Sequence, residues 1–391
     1  MLGCGIDRPP ILSRALLLRL VAIVGCSISF YLPLAVVPLF AAAAGARSAA
    51  GLTTGALLTA TVLFELVTPR IVAHLGYRWT LAIGMLLLGV PALLFLPFPS
   101  IPAMVAISAV RGVGFAIIVV AGGALTAALV PDQRRGEGLA LVGLVSGLSS
   151  VLTLPLGIWA AGRWGFGIVF LVTAAAPVLA MATLPALPRH DGPAGFRHTT
   201  MRGLRDGRLM RPAIIFATCT SAAGVLVTFL PIALGRPLSW VAPLALFVQP
   251  AVATAARWIA GRLGDRRGQT TLLLPGVILS IVGMVALAAT GSPAAVLTGA
   301  AVFGAGFGIL QNATLALMYA RVPVAGYSTV SAIWNAAYDL GMALGAIGVG
   351  LLVSVVGFTA AFLLTAAAMV PALFLARREA TEPARSAPAA R

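Results

Sequence analysis

Residues 238–290 read LSWVAPLALFVQPAVATAARWIAGRLGDRRGQTTLLLPGVILSIVGMVALAAT. Two apolar runs, 238–261 and 270–290, flank a charged octapeptide that begins and ends in glycine: Gly261-Arg262-Leu263-Gly264-Asp265-Arg266-Arg267-Gly268. Each run has the ~20 residues a helix needs to cross ~30 Å of hydrocarbon. Neither alternates polar with apolar residues as a barrel strand would. The stretch therefore reads as two membrane-spanning helices joined by a tight, charged turn. Ten further runs lie near 16–43, 49–72, 79–97, 101–130, 138–161, 166–187, 212–235, 294–320, 327–355 and 358–376. The predicted fold is an all-α membrane protein of twelve transmembrane helices.

Composition agrees. The chain is 60% hydrophobic and 9% charged, with a mean hydropathy of +1.05, so its solvent is lipid. All 26 basic residues are arginine, which we read as codon bias in a GC-rich, bacterial genome. The net charge of +16 does not imply nucleic acid, because the arginines crowd into the short segments between apolar runs. With the N-terminus inside, only Arg47, Arg163 and Arg236 fall in outside segments. The positive-inside rule then predicts an inner (plasma) membrane protein with both termini cytoplasmic. Two targeting look-alikes are set aside. Leu2-Gly3-Cys4 has no apolar run before it, and the first run is followed by too many others to read as a cleaved signal peptide. Cys4, Cys26 and Cys219 are too scattered for a disulfide framework, and His74, His190 and His198 all lie in loops. No metal or cofactor is expected.

The polar, basic segment 188–211 divides six runs from six. The expected organisation is a six-helix bundle (1–187), a cytoplasmic linker (188–211), a second six-helix bundle (212–377) and a disordered cytoplasmic tail (378–391). The halves repeat at an offset of 192. Gly165-Phe166 and Thr173-Ala174-Ala175-Ala176 recur as Gly357-Phe358 and Thr365-Ala366-Ala367-Ala368. Gly112, Gly114 and Phe115 recur as Gly304, Gly306 and Phe307, and Gly76 maps to Gly268. An even number of spans per repeat makes the halves parallel, related by an axis along the membrane normal.

Glu65, Arg111 and Asp339 are the charges read as stranded inside the runs. A charge at the centre of a bilayer costs about 3 kcal/mol on insertion scales, so it faces a cavity or a partner. Arg111 reads either as an anion or substrate clamp or as one side of a structural salt bridge. Asp339 and Glu65 read as proton carriers or as inter-helix bonds, with Arg70 a possible mate for Glu65. Gln249, Gln311, Asn312 and Asn335 are amides at depth, able to bind substrate or to bridge helices.

The octapeptide resembles the G-x-x-x-D-R-x-G loop signature of the major facilitator superfamily, which occupies the loop between spans two and three and is echoed between eight and nine. Here Gly261, Asp265, Arg266 and Gly268 match the echo. The first-half copy has Ala73 and His74 where the signature has Asp and Arg. Arg111-Gly112-Val113-Gly114-Phe115 resembles, with spacing short by one, the span-four motif of proton-coupled drug exporters. Gly143, Gly147, Pro155 and Gly157 partly resemble the antiporter motif of span five. The resemblance implies two bundles that rock around a central cavity lined by spans one, four, seven and ten, with span two packed on span eleven. It places Arg111 at the cavity, pairs Glu65 with Asp339, and puts Gln311 and Asn312 on a cavity helix. Asp265 is expected to accept hydrogen bonds from nearby arginines or a helix N-terminus and so to gate the loop. The expected activity is proton-coupled efflux of a small apolar or amphipathic compound by a monomer in the bilayer. Import of a small metabolite by a facilitator or symporter is the alternative. No Ser/His pair or acidic metal cluster lies within the runs, which argues against a membrane enzyme.

Overall fold

In the computed structural model, residues 13–47, 49–130, 135–187, 206–235, 238–323 and 326–381 are described. Most of the predicted linker and the end of the predicted tail lie outside them. The described residues are helical throughout their apolar runs and contain no strand. In chain order the helices are α1 (Arg14–Ala43), α2 (50–75), α3 (77–95), α4 (Ile101–Leu129), α5 (Arg135–Trp164) and α6 (Phe166–Ala186). The second set is α7 (Gly207–Ala233), α8 (Val241–Arg267), α9 (Gln269–Leu287), α10 (Pro293–Ala320), α11 (327–356) and α12 (358–381).

Two pairs of these helices run almost continuously and are separated by a single glycine. Gly76 has φ 69° between α2 and α3, and Gly357 has φ 77° between α11 and α12. Gly268 (φ 89°) and Gly165 (φ 86°) end α8 and α5 in the same way. Only glycine adopts this left-handed backbone without strain. Gly76 with Gly268, and Gly165 with Gly357, are the pairs 192 residues apart, so the repeat seen in sequence is a repeat of turns. The helix contacts repeat too. A Cβ at Gly112 would strike the Leu57 carbonyl of α2, and a Cβ at Gly304 the Gln249 carbonyl of α8, so α4 lies on α2 as α10 lies on α8.

The predicted edges of the second bundle shift at both ends. α7 begins at Gly207, inside the predicted linker, because Asp206 caps it by accepting from the Arg208 N–H at 2.9 Å. α12 continues to Thr381, past the predicted start of the disordered tail. Glu379 is 1% exposed and receives Arg321 and Arg211, the latter at 3.6 Å, which ties the last helix to the end of α10 and the start of α7.

Large apolar side chains such as Leu179 (74% exposed) and Val355 (84% exposed) project from the outer faces, as lipid contact requires. On α5 the stripe Leu144, Leu148, Leu152 and Leu156 is exposed, and Gly143, Gly147, Ser150 and Leu154 face the interior. The halves meet where α2 packs on α11 and α5 on α8. One end of the bundle carries the start of α1, the turns at Gly76 and Gly268 and the end of α12; we call it the terminal face. At the far face the last turns of α1 (Val36–Ala43) reach α7, and Thr228 Oγ1 donates to Thr54 Oγ1 at 3.2 Å between the halves. Nearby, the Gly51 backbone presses against the Ala346 carbonyl and the Phe229 ring. These contacts hold the halves together at the far face.

Candidate functional site

A cavity of about 460 Å³ lies between the halves, bounded by α1, α5, α7, α8, α10 and α11. Its lining runs from mid-bundle (Tyr31, Val227, Gln249) toward the terminal face (Gly143, Arg257, Asn312). With the halves in contact at the far face, this is the arrangement expected of one end-state of a two-bundle rocker.

One wall is aromatic. Trp334 stacks on Phe216 with centroids 4.5 Å apart and planes at 14°, and its indole N–H donates to Thr314 Oγ1 at 3.1 Å. Tyr338 meets Phe307 edge-on at 6.3 Å. These contacts fix the rings before any substrate arrives. The opposite wall, from α5, is small: Gly143, Ser146, Gly147 and Ser150. The amides Gln249, Gln311, Asn312 and Asn335 also line the cavity. The three of these amides proposed as site residues from sequence, Gln311, Asn312 and Asn335, are thus brought together.

Glu65 and Asp339 are brought together elsewhere. Asp339 stands twelve residues into α11, ~18 Å along its axis at 1.5 Å per residue, and is 6% exposed. It interacts electrostatically with Glu65 across the α2–α11 interface and with Tyr31 and Tyr338. Both tyrosines line the cavity, whereas Asp339 does not. Tyr31 and Tyr338 thus stand at the cavity, Asp339 behind them and Glu65 nearer the terminal face, with no hydrogen bond joining the four among the described residues. Glu65 Oε1 is buried without a hydrogen-bond partner, and Glu65 forms no ion pair with Arg70 among the described residues. Among the described residues neither carboxyl pairs with an arginine.

Arg111 does not line the cavity. It is 1% exposed at the junction of α1, α3 and α4, where Nε donates to the Leu88 carbonyl at 2.9 Å and Nη2 to the Ser29 carbonyl at 2.6 Å. In this conformation it is a tie between three helices rather than a clamp on substrate. It also has no carboxylate mate among the described residues.

The stranded charges named from sequence were incomplete. Arg19, counted there with the cytoplasmic arginines, is 3% exposed between α1 and α4, and its Nε donates to Thr126 Oγ1 at 3.4 Å. Arg257, also counted as cytoplasmic, lies within α8 and lines the cavity, with Nη1 donating to Gln311 Oε1 at 3.5 Å. Both fall inside the runs 16–43 and 238–261, and that was the available signal. In the octapeptide, Arg262 lies over the Trp258 ring at 3.7 Å, and Gly268 closes the last turn of α8. Asp265 has no hydrogen bond or ion pair among the described residues. The described residues hold no cluster of metal-ligating side chains.

The Major Facilitator Superfamily model matches residues 19–346 and 244–391. No curated protein matches the sequence. Among solved structures, a bacterial homolog of the human lysosomal transporter Spinster, in an inward-facing and occupied conformation, is similar with a TM-score of 0.80 at 14% identity; the match covers 96% of this chain and 98% of that one. The nucleoside transporter NupG matches with a TM-score of 0.74 at 13% identity over 95% and 100% of the two chains. A POT family transporter in complex with 5-aminolevulinic acid has a TM-score of 0.74 at 13% identity, with 96% of each chain covered. At these identities the likeness is one of fold. The family model, the apolar helices and the paired bundles agree: the chain belongs to the Major Facilitator Superfamily, and it is a multi-pass membrane transporter rather than an enzyme.

Proposed function

We propose that this chain couples proton movement to the transport of a small amphipathic compound across the inner membrane, with both termini in the cytoplasm. The observation that supports the coupling is the placement of buried Asp339 and half-buried Glu65 at the α2–α11 interface behind the cavity tyrosines Tyr31 and Tyr338, with no arginine partner to either carboxyl among the described residues. A proton carrier must take and release a proton inside the membrane. Arginine stays protonated, and no histidine lies within the helices among the described residues except His74, near the terminal end of α2. Asp339, deeper and closer to the cavity lining, is the primary carrier, with Glu65 the relay toward the terminal face.

The cavity supports the amphipathic substrate. Its aromatic wall offers apolar surface, and the hydroxyls and amides of the remaining lining offer hydrogen bonds to a polar end. Arg257 is the sole charged side chain among the described lining residues, which argues against a multiply charged substrate such as an organic phosphate with a counter-ion. Import together with a proton is a second reading, supported by Arg257, whose positive charge would draw in an anion.

Purified protein in proteoliposomes, screened with a compound panel and a pH-sensitive dye, tests the proposal. Substrate-dependent proton movement opposite to the substrate is expected for export. Movement with the substrate supports the second reading, and substrate flux with no proton movement defeats the coupling. Orientation is tested separately. A C-terminal reporter and a cysteine in 188–211 should both be shielded from impermeant reagents in intact cells; external labelling of either reverses the arginine-based topology.

A further inference from the structure

The cavity has an electrostatic asymmetry that its apolar walls conceal. Among the described residues lining it, Arg257 is the sole charged side chain. No acidic side chain joins it there, and no ion pair includes it among the described residues. Among the described residues its one hydrogen bond is the long one to Gln311, at 3.5 Å. A guanidinium carries five N–H donors in a planar fork, and Arg257 is exposed, so most of that capacity is open to water or to a ligand in the cavity. The α5 wall leaves room for it: the nearest neighbour a Cβ at Gly143 would meet is Arg257 Nη2, at 3.6 Å.

The amides around it are similarly unspent. Asn312 Nδ2 is buried without a hydrogen-bond partner. Gln311 offers its carbonyl oxygen to Arg257, which leaves its NH₂ free to donate. Asn335 also lines the cavity. A buried donor without a partner, as at Asn312, is rare unless a ligand or water satisfies it. The unused donors and the lone cation share one region, and Phe307, Trp334 and Tyr338 face the same space.

From this juxtaposition we infer that the cavity recognises an organic carboxylate with an aromatic or aliphatic body: Arg257 holds the carboxylate, Gln311 and Asn312 add N–H donors, and the body rests on Trp334, Tyr338 and Phe307. A planar carboxylate matches the guanidinium fork with two parallel bonds. The inference rests on the transporter reading only in taking this cavity as the substrate site, and it is independent of proton coupling.

The test is therefore a binding measurement without a gradient. The full chain in nanodiscs is titrated with benzoate, phenylacetate and indole-3-acetate, each beside its primary amide, and with phenethylamine as the cation. Affinity is read by calorimetry and thermal shift. Each carboxylate should bind at least about tenfold tighter than its amide, the scale of a charge-assisted pair, and phenethylamine should bind weakest. Arg257→Gln should erase the carboxylate preference, whereas Arg257→Lys, which keeps the charge but loses the fork, should retain part of it. Wild type and both variants should unfold at similar temperatures without ligand, because Arg257 makes no ion pair to lose. Equal binding of amides and carboxylates, a preference that survives Arg257→Gln, or no stabilisation by any carboxylate at millimolar concentration would each overturn the inference. Failure of proton movement in proteoliposomes would leave it standing.

Discussion

Asp339→Asn is expected to abolish uphill, pH-gradient-driven flux in proteoliposomes and to leave substrate exchange and downhill flux measurable. The substitution keeps the size and hydrogen-bonding outline of the side chain and removes its ability to cycle a proton. Asp339 is 6% exposed, has no arginine partner among the described residues, and shares the α2–α11 interface with Glu65. Like charges placed near one another away from water resist being ionised together, which suits one of the two carboxyls to carrying a proton. Asparagine mimics the protonated carrier, and the bundles remain free to rock with substrate aboard. If the substrate is the carboxylate inferred above, it binds more readily beside a neutral Asp339, and anion and proton then move together. The sign of proton movement in the same vesicles reports this directly. Gradient-driven flux equal to wild type in Asp339→Asn removes Asp339 as the carrier. Loss of coupling in Glu65→Gln alone moves the carrier to Glu65, and full coupling in both variants makes the protein a facilitator.

How much of this was legible in the sequence follows from what lipid does to a sequence. Run lengths, turn glycines and the repeat were all readable, because a membrane demands long apolar helices and the tight turns demand glycine at left-handed φ. Gly76, Gly268, Gly165 and Gly357 show this directly. Gln311, Asn312 and Asn335 were found because an amide at depth is conspicuous against alanine and leucine. Azimuth was much less readable. In water a helix shows which face is buried by keeping its other face polar, but here the lipid-facing side is apolar as well. Depth therefore revealed that Arg111 is buried but not that it points at the Leu88 and Ser29 carbonyls rather than the cavity. Arg257 and Arg19 were obscured by another effect. Arg19 lies near the start of α1 and Arg257 near the predicted end of the run 238–261, so the arginine tally that orients the bundle absorbed them as loop charges, although α8 continues ten residues beyond Arg257. A lone arginine inside a run should be assigned to the interior before it is counted toward topology.

Cross-linking the far face should arrest the cycle. In a background lacking Cys4, Cys26 and Cys219, the pair Thr54→Cys and Thr228→Cys replaces two hydroxyls that lie 3.2 Å apart between the halves. Sulfurs at those positions reach bonding distance with small rotamer changes. Alternating access requires this contact to part when the cavity opens to the far side, so oxidation is expected to lower flux by at least about tenfold, the effect of losing a conformation every cycle must visit. Reductant should restore it, and neither single cysteine variant should respond to oxidant. Unimpaired flux in the fully cross-linked protein would show that the halves do not separate there. The same bond reports on the octapeptide. Asp265 has no partner among the described residues in this state, with the cavity reaching toward the terminal face. Its charge therefore has a gating role only if it holds arginines or a helix end in the opposite state, when the terminal face is shut. Asp265→Asn would then weaken that opposite state and shift the population toward this one. The Thr54–Thr228 cross-link should form faster in Asp265→Asn than in its parent, while transport falls at normal expression. Equal cross-linking rates and full transport would reduce Asp265 to a residue of the turn.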